Sequence, residues 1–164
     1  MQFSGTIHLL PKNVKVFIAL FLIAISCGYF TGLSFLTRTT SLMPDGIEKH
    51  YIGNEDEEDA GEMIFKKSER EILNIIHTHV LSFSLIFFAL GSILITTSVN
   101  QKLKTFLLIE PFVSIILTFG GIWILWKEIL WFKYVILFSG ILLTTSFILI
   151  VCLIFWQLIF VRGE

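Results

Sequence analysis

The stretch EILNIIHTHVLSFSLIFFALG, residues 71–91, passes from charged to apolar sequence within two helical turns, and the length of the apolar run that it opens decides the fold. Residues 80–99 contain no Asp, Glu, Lys or Arg. A helix needs about 20 such residues to cross the hydrocarbon core of a bilayer. Upstream, Ser68 and Glu71 have the S-x-x-E spacing of a capping box, in which the hydroxyl and the carboxylate satisfy each other's backbone amides. A helix is therefore expected over residues 68–99, beginning outside the membrane and standing about two or three turns proud of it.

Three further stretches have the same character, at residues 14–36, 105–126 and 131–160. The last exceeds the thickness of the core and is expected to tilt or project. Of the 164 residues, 55% are hydrophobic and 17 are Phe, and the mean hydropathy is +0.83. Such values belong to the membrane class. The expected fold is an all-α integral membrane protein of four transmembrane helices with an extracytoplasmic segment at residues 37–67, and its first partner is the lipid bilayer. A net charge of −1 gives no reason to expect a nucleic-acid partner. Cys27 and Cys152, the two cysteines, fall in different spans at different depths, so no disulfide is expected.

An even number of spans puts both termini on one side. Lys12 and Lys15 precede the first span, Lys102 and Lys104 lie between the second and third, and Arg162 comes after the fourth. By the positive-inside rule residues 1–13 and the C-terminus are cytoplasmic, in what is expected to be the cytoplasmic membrane of a bacterium. The outer segment is acidic, with EDEED at residues 55–59. Trp123, Trp126, Trp131 and Tyr134 gather where an outer aromatic belt would lie, and Trp156 where an inner one would. AISC, residues 24–27, has a partial likeness to a lipoprotein cleavage box, but the apolar run continues to Leu36, so an uncleaved helix is expected. Pro44, Asp45 and Gly46 read as a turn before a short helix that ends near Gly53.

His77 and His79 are the most conspicuous polar pair. Residues two apart on a helix point about 200° apart, so the two imidazoles cannot chelate one ion together on a regular helix. His79 continues the stripe of Ile72, Ile75 and Ile76, whereas His77 is in line with Arg70 and Asn74 and lies above Ser84 and Gly91, small residues of the kind that mark close helix contact. Either imidazole is a candidate ligand for haem b iron or a transition metal, with His50, Met43, Met63 or the acidic run as same-side partners. His8 is on the opposite side. The competing expectation is that both rings bond backbone, water or lipid headgroups at the interface.

Glu110 lies in the third span ahead of Pro111, with Ser114, Thr118 and Gly121 on its face. A carboxylate inside the membrane is a candidate for proton or cation handling. The alternatives are that it reaches Lys104 or the interface, or accepts a hydrogen bond from a neighbouring helix. Gly28 and Gly32 form a GxxxG spacing, extended by Ala24, suited to helix packing within or between subunits. An EF-hand aligned on Gly61 fails at Ala60 and Lys67. Walker A, H-E-x-x-H, G-x-S-x-G and paired-Cys motifs are missing from the sequence, so no enzymatic reaction is assigned.

HTHVLSFSLIFFALG, preceded by FKKSEREILNII and by GIEKHYIGNE in the outer segment, resembles uncharacterised bacterial four-span membrane proteins with His-x-His at the outer end of the second span. A histidine opening an apolar helix is also similar to the low-spin haem helix of haem–copper oxidases and nitric oxide reductases. That likeness covers one helix, and no later span supplies a second histidine. Three functions are expected on these grounds. The first is a haem- or metal-binding protein of respiratory or metal-handling machinery. The others are a non-catalytic accessory subunit, associating with another membrane protein or with itself, and a small proton-coupled carrier using Glu110.

Overall fold

The computed structural model describes residues 5–40, 43–55, 61 and 63–160. Among them a 3-10 turn at Ile7–Leu9 is succeeded by α1 (Lys12–Thr40), α2 (Pro44–Ile52), α3 (Glu69–Ile95), α4 (Gln101–Trp126) and α5 (Phe132–Phe160). α1, α3, α4 and α5 are each long and apolar enough to span a bilayer, so the protein is the four-span, all-α membrane protein that the sequence led us to expect.

α4 packs most extensively on α5 and next on α3, and α1 lies against α2 and α5. Leu107, Ser114, Thr118, Gly121 and Leu125 recur along α4 every three to seven residues and are all buried. They meet Leu143, Ile150 and Ile154 of α5 and Phe87, Leu90 and Leu94 of α3 in one core. The opposite faces expose Leu85, Phe88, Ile116 and Phe138. On a spanning helix such side chains face lipid tails, which solvate them as well as a core would.

The ends of the helices differ from expectation for local reasons. Ser68 opens α3 with both arms of the capping box, its hydroxyl accepting from the Glu71 amide at 3.3 Å and its amide donating to Glu71 Oε2 at 2.8 Å. α3 stops at Ile95 rather than continuing to 99. There the Thr96 and Thr97 hydroxyls donate back to the Ile93 and Leu94 carbonyls at 2.7 and 2.6 Å, and the Thr97 and Thr96 carbonyls accept from the Gly5 and Ile7 amides at 3.2 and 3.1 Å. α4 begins at Gln101, ahead of the expected 105, because Asn100 caps it, Oδ1 accepting from the Lys102 amide at 2.9 Å. α1 extends beyond residues 14–36 at both ends.

The segment between α1 and α3 folds over one end of the bundle. Pro44, Asp45 and Gly46 are the first turn of α2 itself rather than a turn before it, with Pro44 where its missing N–H costs nothing. Ile47 and Tyr51 are buried, and burial pushes the Tyr51 phenol up to about 12. Lys133 of α5 donates to Asp45 Oδ1 at 2.8 Å and to Glu48 Oε2 at 2.7 Å. Gly53 ends α2 with φ of 90°, and a Cβ there would lie 2.6 Å from the Ile64 carbonyl oxygen. Asn54 pairs with Ile64, the Lys67 amide donates to the Tyr51 carbonyl, and Trp126 Nε1 donates to the Lys67 carbonyl. Beyond Glu55 the acidic run lies outside the described residues, as does Arg162. At the other end Ser98 donates from its amide to Gln157 Oε1 at 2.8 Å, so the N-terminal turn, the α3–α4 loop and the end of α5 meet together.

Candidate functional site

Nine residues separate Glu110 from the start of α4, about 14 Å of helix, and Ser146 lies about 21 Å from either end of α5. Both therefore sit near the middle of a core about 30 Å thick. Glu110 and Ser146 are buried. Ser114, one turn further along α4, donates its hydroxyl to Glu110 Oε1, and Ser146 of α5 donates to Oε2. Of the alternatives for Glu110, acceptance from a neighbouring helix is the observed one. Lys104 is buried elsewhere, its Nζ donating to the Thr97 carbonyl at 2.6 Å and the Ile95 carbonyl at 3.3 Å. A cation at that position complements the negative end of α3.

Pro111 stands directly after Glu110 inside α4 and cannot donate to the Leu107 carbonyl. Two turns beyond Glu110, Thr118 Oγ1 and Ser139 Oγ lie 2.7 Å apart across the α4–α5 contact, and Ser139 also donates to the Val135 carbonyl. From α1, Tyr29 donates to Thr144 Oγ1 at 3.1 Å and stacks on Phe147 at 3.9 Å between ring centroids. Leu107, Ile150 and Ile154 close the cluster towards Lys104, and Ile122 and Ile136 close it towards α2. Glu110, Ser114, Thr118, Ser139 and Ser146 thus form a polar cluster on the α4–α5 contact with buried apolar side chains before and after it along both helices, while the Tyr29–Thr144 pair lies on another face of α5.

Among the described residues the partners of Glu110 are hydroxyls and no cation pairs with it. Gain of a proton reverses one of these bonds: the acid becomes a donor, and the hydroxyl facing it must turn to accept. A proton here therefore changes the polarity of a contact between α4 and α5.

The histidines are placed differently. His77 is exposed on the side of α3 that carries Arg70 and Asn74. His79, also exposed, lies on the other side, its ring 5.2 Å from Phe119 and 6.1 Å from Phe83, with Nδ1 donating to the Ile75 carbonyl at 2.7 Å. His50 is half-buried in α2 and bonded to the Thr39 backbone; burial first, and then the nearby Lys67 charge, hold its pKa below the usual value. Met43 and Met63 are exposed. Among the described residues no three His, Cys, Asp or Glu side chains gather as a metal site.

The glycines also divide. A Cβ on Gly91 would lie 3.0 Å from Leu108 Cδ2, and one on Gly121 3.0 Å from Ile136 Cγ1, so α4 approaches both neighbours closely. Ser84, above Gly91 on α3, is half-buried. Gly28 and Gly32 of α1 have nothing within 4 Å of such a position.

Sequence reading placed Glu110, Ser114, Thr118 and Gly121 on one face but missed Ser139, Ser146, Gln157 and the Tyr29–Thr144 pair. α5 is apolar on all sides, so its periodicity gives no sign of which face meets α4. Ser139, Ser146 and Gln157 are spaced by seven and eleven residues, close to two and three helical turns, so they share one face, a signal available only once α4 is known to lie opposite.

No curated protein and no solved structure matches the chain. A family model described as a transmembrane helical domain, Aq_1264_TM, matches residues 41–164, which takes in α2 to α5 and leaves out α1. By that match over most of its length, the chain belongs to the Aq_1264_TM family of transmembrane helical domains.

Proposed function

We propose that this protein is a small proton-coupled protein of a bacterial cytoplasmic membrane, in which Glu110 binds and releases the proton. One observation carries the reading: a carboxylate at mid-membrane depth has both oxygens engaged by hydroxyls from two helices and no cation beside it among the described residues. Ion pairing would hold the group ionised throughout, whereas hydroxyls, which both donate and accept, accommodate either protonation state. The lysines at the α3–α4 loop and before α1 support a cytoplasmic position for both termini. The test is proton uptake into liposomes containing the purified protein, driven by a potassium diffusion potential and read with an entrapped pH dye. Uptake above that of empty liposomes, abolished by Glu110→Gln and reduced by Ser146→Ala, is expected. Equal uptake by wild type and Glu110→Gln overturns the assignment.

A second reading, haem b or a transition metal at the α2 end, is favoured by the hydrogen bond from His79 Nδ1 to the Ile75 carbonyl. That bond places the proton of a neutral ring on Nδ1 and leaves the Nε2 lone pair for a ligand. His79 alone fits one axial position of a haem and does not make a metal cage. His50, His77 or a second copy would have to complete the ligand set. Protein purified from haem-sufficient cells should then show a Soret band or stoichiometric metal that His79→Ala removes and His77→Ala leaves. Absence of both signals ends this reading.

A further inference from the structure

We propose that the exposed face of α3, at the end where α2 lies, seats one phosphatidylethanolamine molecule, with its phosphate on Arg70 and its ammonium on Glu71; the proposal is independent of the reading of Glu110. Arg70, Glu71, Leu73, Asn74 and His77 line a groove of about 510 Å³ on that face. Arg70, Asn74 and His77 all carry N–H donors, and among the described residues none of the three makes a side-chain hydrogen bond or ion pair. Glu71 is committed through one oxygen only. The Ser68 amide at 2.8 Å and the Ser68 hydroxyl at 2.7 Å both donate to Oε2, which leaves Oε1 open. The groove thus offers a cation and an anion on adjacent residues, beside two further donors.

Depth decides the kind of ligand. His79 meets Phe119 and Gly91 meets Leu108, so α3 and α4 run antiparallel in a register that puts Leu73 level with Trp126 and Ile76 level with Trp123. Tryptophans at the end of a span mark the headgroup level of the bilayer. Arg70 therefore stands about one turn above that level, Asn74 at it and His77 just below it. The same line of α3 continues into the membrane as Leu81 and Phe88, which are 53% and 68% exposed. A water-soluble anion would make no use of that apolar strip, whereas a phospholipid presents phosphate, ester carbonyls and acyl chains in this order. Arg70 pairs with the phosphate, Asn74 and His77 donate to phosphate and ester oxygens, and an acyl chain lies along Leu81 and Phe88. Glu71 selects the headgroup. Its free Oε1 accepts from the N–H of a primary ammonium and finds none on the trimethylammonium of phosphatidylcholine, while a phosphatidylglycerol head would leave the carboxylate without a counter-charge.

Native mass spectrometry of the full chain in mild detergent, titrated with dioleoyl phosphatidylethanolamine or with dioleoyl phosphatidylcholine, gives an apparent Kd for the first lipid adduct. Wild type should bind the ethanolamine lipid about threefold more tightly than the choline lipid, the worth of an exposed ion pair. Glu71→Gln keeps a capping side chain at its position and should bring the ethanolamine lipid down to the affinity of the choline lipid, which itself should not change. Arg70→Gln should weaken both lipids about fivefold, because both carry the phosphate. A second groove on α1, lined by Phe30, Thr31, Ser34, Phe35 and Arg38, has a cation and no carboxylate. Arg38→Gln should therefore leave the preference for ethanolamine intact. Equal binding of the two lipids by wild type, a preference that survives Glu71→Gln or is lost in Arg38→Gln, or wild-type binding of both lipids by Arg70→Gln overturns the assignment.

Discussion

α1 and α4 are almost equally long and both cross the membrane, yet 11% of the most apolar stretch of α1 is buried against 50% of that of α4. α4 carries the only buried carboxylate among the described residues, a buried lysine at one end and a glycine pressed against α5. α1 carries two glycines that press against nothing and hydroxyls, such as that of Thr31, that return to their own backbone. Hydropathy alone does not separate them, because lipid and protein core ask for the same apolar side chains. The difference lies in where small and polar residues find partners on another helix, and the family match, which begins after α1, divides the chain at the same place.

The largest expected effect comes from filling the two kinds of glycine. Gly121→Leu drives a branched side chain into Ile136, where even a Cβ would lie 3.0 Å from Cγ1, and should cost about 3 kcal/mol by overpacking. Gly28→Leu enters open space and should cost nothing, since leucine is also the better helix former. Reversible unfolding in mixed micelles checks both. Equal losses would erase the distinction between the helices.

Next is the buried lysine. Lys104→Met keeps most of the apolar stem but leaves the Thr97 and Ile95 carbonyls without their cation, for a cost of about 2 kcal/mol. Lys12→Met, an exposed position on α1, should be neutral within about 0.5 kcal/mol. The same unfolding measurement applies, and a Lys12 variant as damaging as that of Lys104 would mean that the N-terminal end of α1 is anchored more firmly than its burial implies.

A smaller contrast concerns hydroxyls. Ser146→Ala deprives Glu110 of its donor on α5 and should cost about 1 kcal/mol, near the upper range for a single interhelical bond in membranes. Thr31→Ala removes a bond from Thr31 to the Cys27 carbonyl of its own helix and should cost close to nothing. If the two proved equal, the hydroxyl pairing of Glu110 would carry no stability.

The same physics decides how much of this was legible in the sequence. The bilayer sets a length, so the four spans could be read from uninterrupted apolar runs, and the capping box at Ser68 and Glu71 fixed where α3 begins. The end of α3 could not be read, because Thr96 and Thr97 stop it through bonds to Gly5, Ile7 and Lys104, the first two of which lie far away in the chain. Glu110 stood out because a carboxylate costs free energy in hydrocarbon. Ser139 and Ser146 did not, since serine is unremarkable in an apolar helix until its partner is known. The separation of His77 from His79 was implied by helical geometry, whereas the Phe119 ring beside His79 depends on how α3 meets α4.

The smallest expected effect lies at the junction of the two regions, where His50 of α2 is bonded to the backbone of Thr39 at the end of α1. Burial and the Lys67 charge hold the pKa of His50 below its ordinary 6.5. The unfolded chain therefore binds more protons than the folded one between that lowered value and 6.5, and stability rises with pH across this window. The contribution is complete above pH 6.5 and is lost as pH falls through the window, the opposite of what a histidine paired with a carboxylate would give. Because the ring is half-exposed, the shift in melting temperature between pH 7.5 and 5.5 should be about a degree. His50→Gln, which keeps an N–H for Thr39, should remove that component of the pH dependence while leaving the effects of Gly121→Leu and Ser146→Ala unchanged. A pH dependence identical in wild type and His50→Gln would place its source elsewhere and leave the α1–α2 junction indifferent to protons.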